Sequence, residues 1–145
     1  DLRMSRGLGD VYKRQELKSY LFTLVGVDAE EAQKCMDKNN QTTCFINGNT
    51  LLIDLGEERT ITSFHYLPDQ SEYNKGVIAA YEISVGTDSN AVNQLVAKDE
   101  FSNIKSNPIL QSVYFTPVNA RYVQLKATRM IHDGEPMGLA EIGIQ

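Results

Sequence analysis

The sequence predicts an all-β domain built as an antiparallel sandwich or barrel, and two observations lead to that prediction. Apolar and polar residues alternate in short runs, as in Tyr81-Glu82-Ile83-Ser84-Val85. A period of two is typical of strands that bury one face and expose the other. Turn residues flank the runs at regular intervals, and short strands at such spacing favour a sandwich or barrel. The flanking turn residues include Gly48-Asn49, Gly56-Glu57, Asp88-Ser89-Asn90, Asn107-Pro108, Pro117 and Asp133-Gly134.

The elements follow in order along the chain. The apolar stretch from Tyr20 to Val25 predicts the first strand, and residues 28–36 predict a helix of about two turns. Asp28 is a favourable N-cap, and acids in the first turn suit the helix dipole. The later alternating runs predict the remaining strands, with His65 on a sheet surface rather than in a binding site. Those runs are 51–55, 64–66, 81–85, 123–127 and 140–144.

The first fifteen residues are interpreted separately from the domain. Residues 5–15, SRGLGDVYKRQ, resemble a translated sequencing adapter, and such segments are excluded from fold reasoning. We therefore expect 1–15 to be a non-native segment that packs against nothing, and 16–145 to be a single domain. A chain of this length can bury a core without disulfides.

Charge and hydropathy exclude several classes of partner. Residues 16–145 contain ten Lys or Arg and seventeen Asp or Glu, a net charge of −7. An acidic domain without basic clusters is a poor partner for nucleic acid or anionic lipid. No apolar run approaches the roughly 20 residues needed to span a bilayer. We expect no nucleic-acid and no membrane partner.

Two cysteines, Cys35 and Cys44, bracket an acidic, polar loop. In a secreted protein they could form one short disulfide that closes this loop. The alternative is a pair of small, partly buried thiols, and the sequence leaves both open. Zinc is excluded because no further Cys or nearby His completes four ligands.

Oxygen-bearing residues occur in this loop and again near the C-terminus. Asp37 and Glu141 offer carboxylates, Thr42 offers a hydroxyl, and the intervening turn offers carbonyls. These are the hard donors that calcium selects. The alternative is a polar surface turn with an unrelated glutamate, and composition alone favours that alternative.

Four segments in order resemble the discoidin family, the coagulation factor V/VIII type C domains with their bacterial carbohydrate-binding relatives. They are LIDLGEERTITSFHYL (52–67), YEISVGTD (81–88), ARYVQLKA (120–127) and LAEIGI (139–144). The resemblance covers 26–145. The segments LPDQ (67–70) and NKGVIAAYEISV (74–85) most resemble domains attached to bacterial α-L-fucosidases.

This resemblance implies a galactose-binding-domain-like jelly-roll sandwich with a structural calcium. The family's K-x-x-D-x-N-x-x-T loop and late A-E pair match this chain at every position. The implied ligands are the carbonyls of Lys34, Asn39, Thr42 and Ala140, the hydroxyl of Thr42, and the carboxylates of Asp37 and Glu141.

The family's sugar-binding residues match less well. Relatives use an aromatic, a histidine after the calcium loop and an arginine in an L-P-R-Q turn. Here Thr43-Cys44-Phe45 follows the loop, and the turn has Asp69 in place of arginine. Substitutes are available in two loops, although each could be an ordinary solvated polar residue. They are Asp69, Gln70, Tyr73, His132, Asp133 and Glu135.

The function expected from these observations is binding rather than catalysis. Neither a Ser-His-Asp order, a phosphate-binding glycine loop nor a marked pair of carboxylates is found. The resemblance implies a non-catalytic, C-terminal carbohydrate-binding module of a larger secreted bacterial glycoside hydrolase, fucosidase-like, with a truncated upstream part. The alternative is a purely structural domain that packs on the catalytic domain of the same chain. Protein adhesion is a third option, with Tyr73 and Met137 as weak candidates.

Overall fold

A computed structural model describes residues 19–37, 41–71, 73–101, 104 and 109–145. The expectation that residues 1–15 pack against nothing therefore lies outside the described residues. Within those residues the chain forms one helix and eight strands. They are β1 (Thr23–Val25), α1 (Ala29–Gln33), β2 (Cys44–Ile46), β3 (Thr50–Leu67), β4 (Ile78–Gly86), β5 (Gln94–Glu100), β6 (Gln111–Met130), β7 (Met137–Leu139) and β8 (Glu141–Ile144).

All strand pairs are antiparallel. One hydrogen-bonded sheet has the strand order β1-β3-β6-β4-β5, with β8 also paired to β3, and a second sheet consists of β2 and β7. The long strands β3 and β6 each contribute to both layers of the sandwich. The first part of β3 lies between β1 and the second part of β6, which continues to β4 and β5. The second part of β3 pairs with the first part of β6 on one side and with β8 on the other. The predicted all-β sandwich is confirmed.

The core lies between these layers and is built from the alternating positions. Leu51, Ile53 and Leu55 of β3 are buried, as are Ile83 and Val85 of β4. The layers meet through aromatic rings. The Phe101 ring stacks on Tyr81 of one layer at 4.4 Å between centroids, and lies 5.3 Å from Tyr66 of the other.

Two predicted turns are parts of strands instead. Gly56-Glu57 lies within β3, where the pairing register shifts between Asp54 and Arg59. Pro117 lies within β6, opposite the second register shift, between Ile61 and Ser63. Gly56 has φ +84°, a conformation that glycine adopts readily, so the chain bends there without reversing. A bulge of this kind allows one strand to continue from one layer into the other.

The N-terminal elements are shorter than predicted. Strand β1 covers only Thr23–Val25, and Tyr20 instead donates its backbone N–H to the Ile144 carbonyl at 2.8 Å. Asp28 is the N-cap of α1, as expected, since its side chain accepts the Glu30 N–H. The helix ends at Gln33 rather than Met36.

His65 lies in β3 as predicted, but it is buried rather than on an open sheet surface. Its Nδ1 is 2.8 Å from Ser112 Oγ, and its Nε2 is 3.1 Å from Ser63 Oγ. Burial lowers the pKa of the imidazole. These two hydroxyls explain how a polar ring is accommodated inside the domain.

Candidate functional site

The first part of the candidate site is the loop that follows α1. Glu31 fixes the helix against the next strand, because its Oε2 accepts the Phe45 N–H at 2.9 Å. This hydrogen bond is the main reason that the pKa of Glu31 is lowered. The loop between α1 and β2 is thus held at both of its ends.

Three predicted calcium ligands of this loop lie together. Thr42 Oγ1 is 2.8 Å from Asp37 Oδ2 and 3.1 Å from the Lys34 carbonyl oxygen. The Thr42 hydroxyl therefore lies within hydrogen-bonding distance of both a carboxylate oxygen and a carbonyl oxygen. Asn39, the fourth predicted ligand of the loop, lies outside the described residues.

The C-terminal ligands approach the same loop. Ala140 is buried and donates its N–H to the Leu67 carbonyl at 2.8 Å, and Glu141 pairs with Leu67 at the start of β8. Leu139, the residue before Ala140, pairs with Cys44, two residues after Thr42, so the start of β8 lies beside the loop. The fold thus brings the predicted oxygen donors from both ends of the domain into one region.

This donor set consists of oxygen atoms, which suits calcium. In the described part of the chain, no three His, Cys, Asp or Glu side chains group so as to hold a metal ion. That result does not conflict with the predicted set, which has two carboxylates and otherwise neutral oxygens.

The two cysteines lie beside this loop as free, fully buried thiols. Cys35 Sγ also lies 3.3 Å from the Ala32 carbonyl oxygen. A hydrogen bond with the Cys44 side chain, together with burial, raises the pKa of the Cys35 thiol. Of the two options that the sequence left open, the structure has the pair of free thiols rather than the disulfide.

The second part of the site is the turn between β3 and β4, organised by Asp69. Its Oδ1 accepts from Thr43 Oγ1 at 2.8 Å and from the Ser71 N–H at 3.1 Å. Its Oδ2 accepts from Ser71 Oγ at 2.6 Å and from the Lys75 N–H at 2.9 Å. Burial opposes ionisation of this carboxyl, but the hydrogen bonds outweigh it and lower its pKa. Asp69, predicted as a ligand-binding residue, is 5% exposed and holds the turn instead.

Glu135 ties the same turn to the loop between β6 and β7. Its Oε1 accepts the Gly76 N–H at 3.0 Å, and the Gly76 carbonyl in turn accepts the Gly138 N–H at 2.9 Å. A Cβ on Gly138 would lie 2.4 Å from the Lys75 carbonyl and 2.9 Å from the Phe45 ring. The loops are therefore packed too closely at Gly138 for any larger residue.

The exposed side chains on this framework include two aromatics and a cation. Tyr73 is 72% exposed, and Lys75 Nζ lies 5.9 Å from the centroid of its ring. Phe45 is 36% exposed, and it pairs with Gly138 across the β2–β7 ribbon. Such a surface can stack on an apolar ring face and offer a charged hydrogen-bond donor beside it.

The other predicted ligand residues are less central. Gln70 is half-buried, and its Nε2 donates to the Pro68 carbonyl at 2.8 Å. His132 and Asp133 are exposed in the loop that also contains Glu135. The second weak adhesion candidate, Met137, is fully buried and so cannot form an exposed loop tip.

Phe45 and Lys75 were missed by the sequence reasoning. A signal for Phe45 existed, since it is an apolar residue at the outward position of a strand between two buried ones, Cys44 and Ile46. Lys75 follows Asn74, which has φ +44°, and only the folded turn shows that its side chain lies near Tyr73.

Comparison with known proteins agrees with this architecture. The profile of the F5/8 type C domain matches residues 27–142. The chain belongs to the F5/8 type C domain family. The resemblance noted in the sequence is thereby confirmed. Curated proteins gave no match.

Solved structures of this family share its fold. CpGH89CBM32-5 from Clostridium perfringens, in complex with GalNAc-beta-1,3-galactose, superposes with a TM-score of 0.69 at 20% identity, over 86% of this chain and 93% of that one. The family 32 CBM of C. perfringens NanJ, in complex with galactose, gives 0.66 at 22% identity, over 86% and 91%.

A third structure is a glycoside hydrolase 29 family member from an unknown rumen bacterium. It matches with a TM-score of 0.65 at 31% identity, over 83% of this chain but only 21% of that protein. This F5/8 type C domain thus corresponds to about a fifth of that protein. In the part of the present chain that the structure describes, no helix is long and apolar enough to cross a membrane. The domain resembles non-catalytic carbohydrate-binding modules.

Proposed function

We propose that this F5/8 type C domain is a non-catalytic carbohydrate-binding module of a larger secreted glycoside hydrolase. Its ligand surface is formed by Tyr73, Phe45 and Lys75. The observation that supports this proposal is the exposed Tyr73 ring, with Lys75 beside it, on a turn whose backbone is fixed by a buried carboxylate. The apolar face of a sugar ring stacks on such an aromatic, and an ammonium donates charge-assisted hydrogen bonds to hydroxyls.

Rigidity of the turn favours binding. Asp69 receives four hydrogen bonds, and Glu135 fixes the neighbouring backbone at Gly76. Because the turn is already ordered, less conformational entropy is lost when a ligand binds. Glu135 and Asp69 therefore serve the site by positioning the residues that meet the sugar.

The proposed parent enzyme is fucosidase-like. The segments LPDQ and NKGVIAAYEISV resemble modules of that enzyme class, and a module of a glycoside hydrolase 29 family member is 31% identical over most of this chain. Binding would hold the catalytic domain of the same chain near its glycan substrate, through effective concentration rather than chemistry.

One observation favours the rival function, a structural domain that packs on the catalytic domain without binding sugar. The turn position at which sugar-binding relatives have arginine is Asp69, and its carboxylate is already occupied by protein donors. On this view the turn is a structural corner, and Lys75 is a solvated surface residue.

Titration calorimetry of the full chain with galactose, N-acetylgalactosamine and fucose distinguishes the two functions. We expect binding of at least one sugar, and a dissociation constant raised about tenfold by Tyr73→Ala, since stacking contributes about 1.5 kcal/mol. Tyr114→Ala is the matched control because Tyr114 is 74% exposed on β6. The absence of heat with every sugar at millimolar concentration would favour the structural function.

We further propose that the oxygen cluster of Lys34, Asp37, Thr42, Ala140 and Glu141, completed by Asn39, binds a structural calcium ion. The arrangement of the loop supports this proposal, because the Thr42 hydroxyl oxygen lies within hydrogen-bonding distance of both the Asp37 carboxylate and the Lys34 carbonyl. When bound, the ion would link the loop after α1 to the start of β8. A cross-link over about a hundred residues lowers the conformational entropy of the unfolded chain. For a covalent link of that span the resulting gain in folding stability is about 4–5 kcal/mol, which is an upper limit for a bound ion.

Thermal unfolding with and without a chelator tests the calcium proposal. A ligand of the folded state at a hundred times its dissociation constant contributes about 2.7 kcal/mol, so excess EDTA should lower the melting temperature by several degrees. Glu141→Gln should reduce this response, whereas Glu57→Gln, an exposed acid in β3, should retain it. Identical melting curves with calcium and with EDTA would refute the site.

A further inference from the structure

The buried cysteines are brought together by the packing of α1 on β2. Cys35 lies in the turn that directly follows α1, where its N–H donates to the Ala32 carbonyl at 3.2 Å. Glu31 Oε2 accepts the N–H of Phe45, the residue next to Cys44. This bond holds α1 and the turn after it against β2, the strand that contains Cys44. Both side chains are completely buried and belong to the same hydrophobic core.

We propose that Cys35 and Cys44 form a disulfide under oxidising conditions, and that this bond closes the loop containing Asp37 and Thr42. Their shared burial at the two ends of the loop, where α1 packs on β2, is the observation that carries the inference. The bond would fix the ends of the loop independently of whether an ion or a sugar is bound.

The oxidation is a thiol–disulfide exchange with a low-molecular-weight disulfide such as oxidised glutathione. One cysteine thiolate attacks this disulfide and releases one reduced thiol, which leaves a mixed disulfide on the protein. The second cysteine loses its proton and attacks the mixed disulfide. The protein S–S bond then forms and a second reduced thiol leaves. Two protein thiols are oxidised and one small disulfide is reduced.

The surroundings of the pair decide when this exchange occurs. Both cysteines are completely buried in the folded domain, so a dissolved disulfide cannot reach their sulfur atoms. Exchange therefore takes place while the loop is still open, before or during folding. Once the domain has folded, external reductants cannot reach the buried disulfide.

The bond should stabilise the domain by restricting the unfolded chain. Closing a loop of about ten residues predicts a melting temperature about 5–10 °C higher than that of the reduced protein. The disulfide also restricts the loop that contains Asp37 and Thr42. Less conformational entropy is then lost when the oxygen atoms of these two residues come together.

Mass spectrometry of the full chain, refolded in a buffer of oxidised and reduced glutathione, tests the proposal. The protein is unfolded in guanidinium chloride with iodoacetamide, once without prior reduction and once after it. We expect no alkylation without reductant, two alkylated cysteines after reduction, and the melting temperature increase given above. Two alkylated cysteines without reductant would overturn the proposal.

A Cys35→Ser/Cys44→Ser double variant is the control for the melting measurement. Its melting temperature should not respond to reductant, and an equal response in the variant and the natural chain would count against the bridge. The mass readout requires neither calcium nor sugar. Failure of the bridge is therefore distinguishable from failure of the proposed binding function.

Discussion

Replacement of Asp69 by asparagine should destabilise the domain strongly, although the two side chains have nearly the same shape. Each carboxylate oxygen accepts one backbone N–H and one hydroxyl: Ser71 N and Thr43 Oγ1 on Oδ1, Lys75 N and Ser71 Oγ on Oδ2. A hydroxyl can rotate and become the acceptor, but a backbone N–H cannot. Whichever way the asparagine amide is turned, its NH2 group faces one backbone donor.

The magnitude follows from this geometry. One hydrogen bond to a charged group is lost, which contributes about 1.5–3 kcal/mol, and one buried backbone donor is left unsatisfied. We expect Asp69→Asn to lower the free energy of unfolding by about 2–4 kcal/mol. Urea denaturation followed by far-UV circular dichroism measures this, since the chain has no tryptophan to report by fluorescence.

Asp88→Asn is the matched control. Asp88 is exposed, and its Oδ1 accepts only the Asn90 N–H, at 3.0 Å, among the described contacts. An asparagine oxygen can accept the same bond, so the change should stay within about 0.5 kcal/mol. If Asp69→Asn were no more destabilising than Asp88→Asn, the positioning role of Asp69 would be refuted.

Two further predictions concern stability. Arg121 makes two hydrogen bonds to Asp54, at 2.9 and 3.1 Å, and they lower the pKa of that carboxyl. The stability that Asp54 contributes is therefore complete above the pKa of the unfolded chain, about 4, and is lost as the pH falls towards the folded pKa. In urea titrations at a series of pH values, Asp54→Asn should thus be less stable than the natural chain at neutral pH and should approach it in acid; a constant difference would contradict this. Tyr66→Phe should cost about 1–2 kcal/mol, because the buried Tyr66 hydroxyl donates to the Gly138 carbonyl at 3.1 Å and accepts the Ile78 N–H at 3.2 Å. Tyr114→Phe on the exposed face is its control in the same urea assay, and equal losses would count against the role of these bonds.

Local patterns in the sequence were sufficient for much of the fold. The alternation in 81–85 and 123–127 corresponds to buried positions of β4 and β6, and Asp28 caps the helix. These features depend on neighbours in sequence, which is why a single sequence reveals them. The resemblance supplied the sandwich topology, which alternation alone leaves open between sandwich and barrel.

Features that depend on distant parts of the chain were not predictable. Gly56 was expected to reverse the chain, but the hydrogen bonds on either side of it are made to β6, so β3 continues. His65 is buried because Ser63 and Ser112 satisfy both ring nitrogens. Asp69 looked like a solvated turn residue, and only the folded turn shows its four donors.

The candidate site divides in the same way. The proposed calcium ligands could be selected from the resemblance, which names them position by position in two short motifs. The proposed ligand surface could not, because Phe45 and Tyr73 belong to segments whose approach depends on Gly138 and Asp69. These residues could be recognised only in the structure, where their side chains are exposed on loops that Asp69 and Glu135 hold in place.

The central claim is that the loop end bearing Tyr73, Phe45 and Lys75 binds carbohydrate. A titration of the isotopically labelled full chain with galactose and with fucose, followed by two-dimensional amide NMR, tests it most directly. We predict saturable shifts of the Tyr73, Lys75 and Phe45 amides with one of these sugars, while the Tyr114 amide on β6 stays unchanged. Unchanged amides at the loop end up to millimolar sugar would contradict the claim.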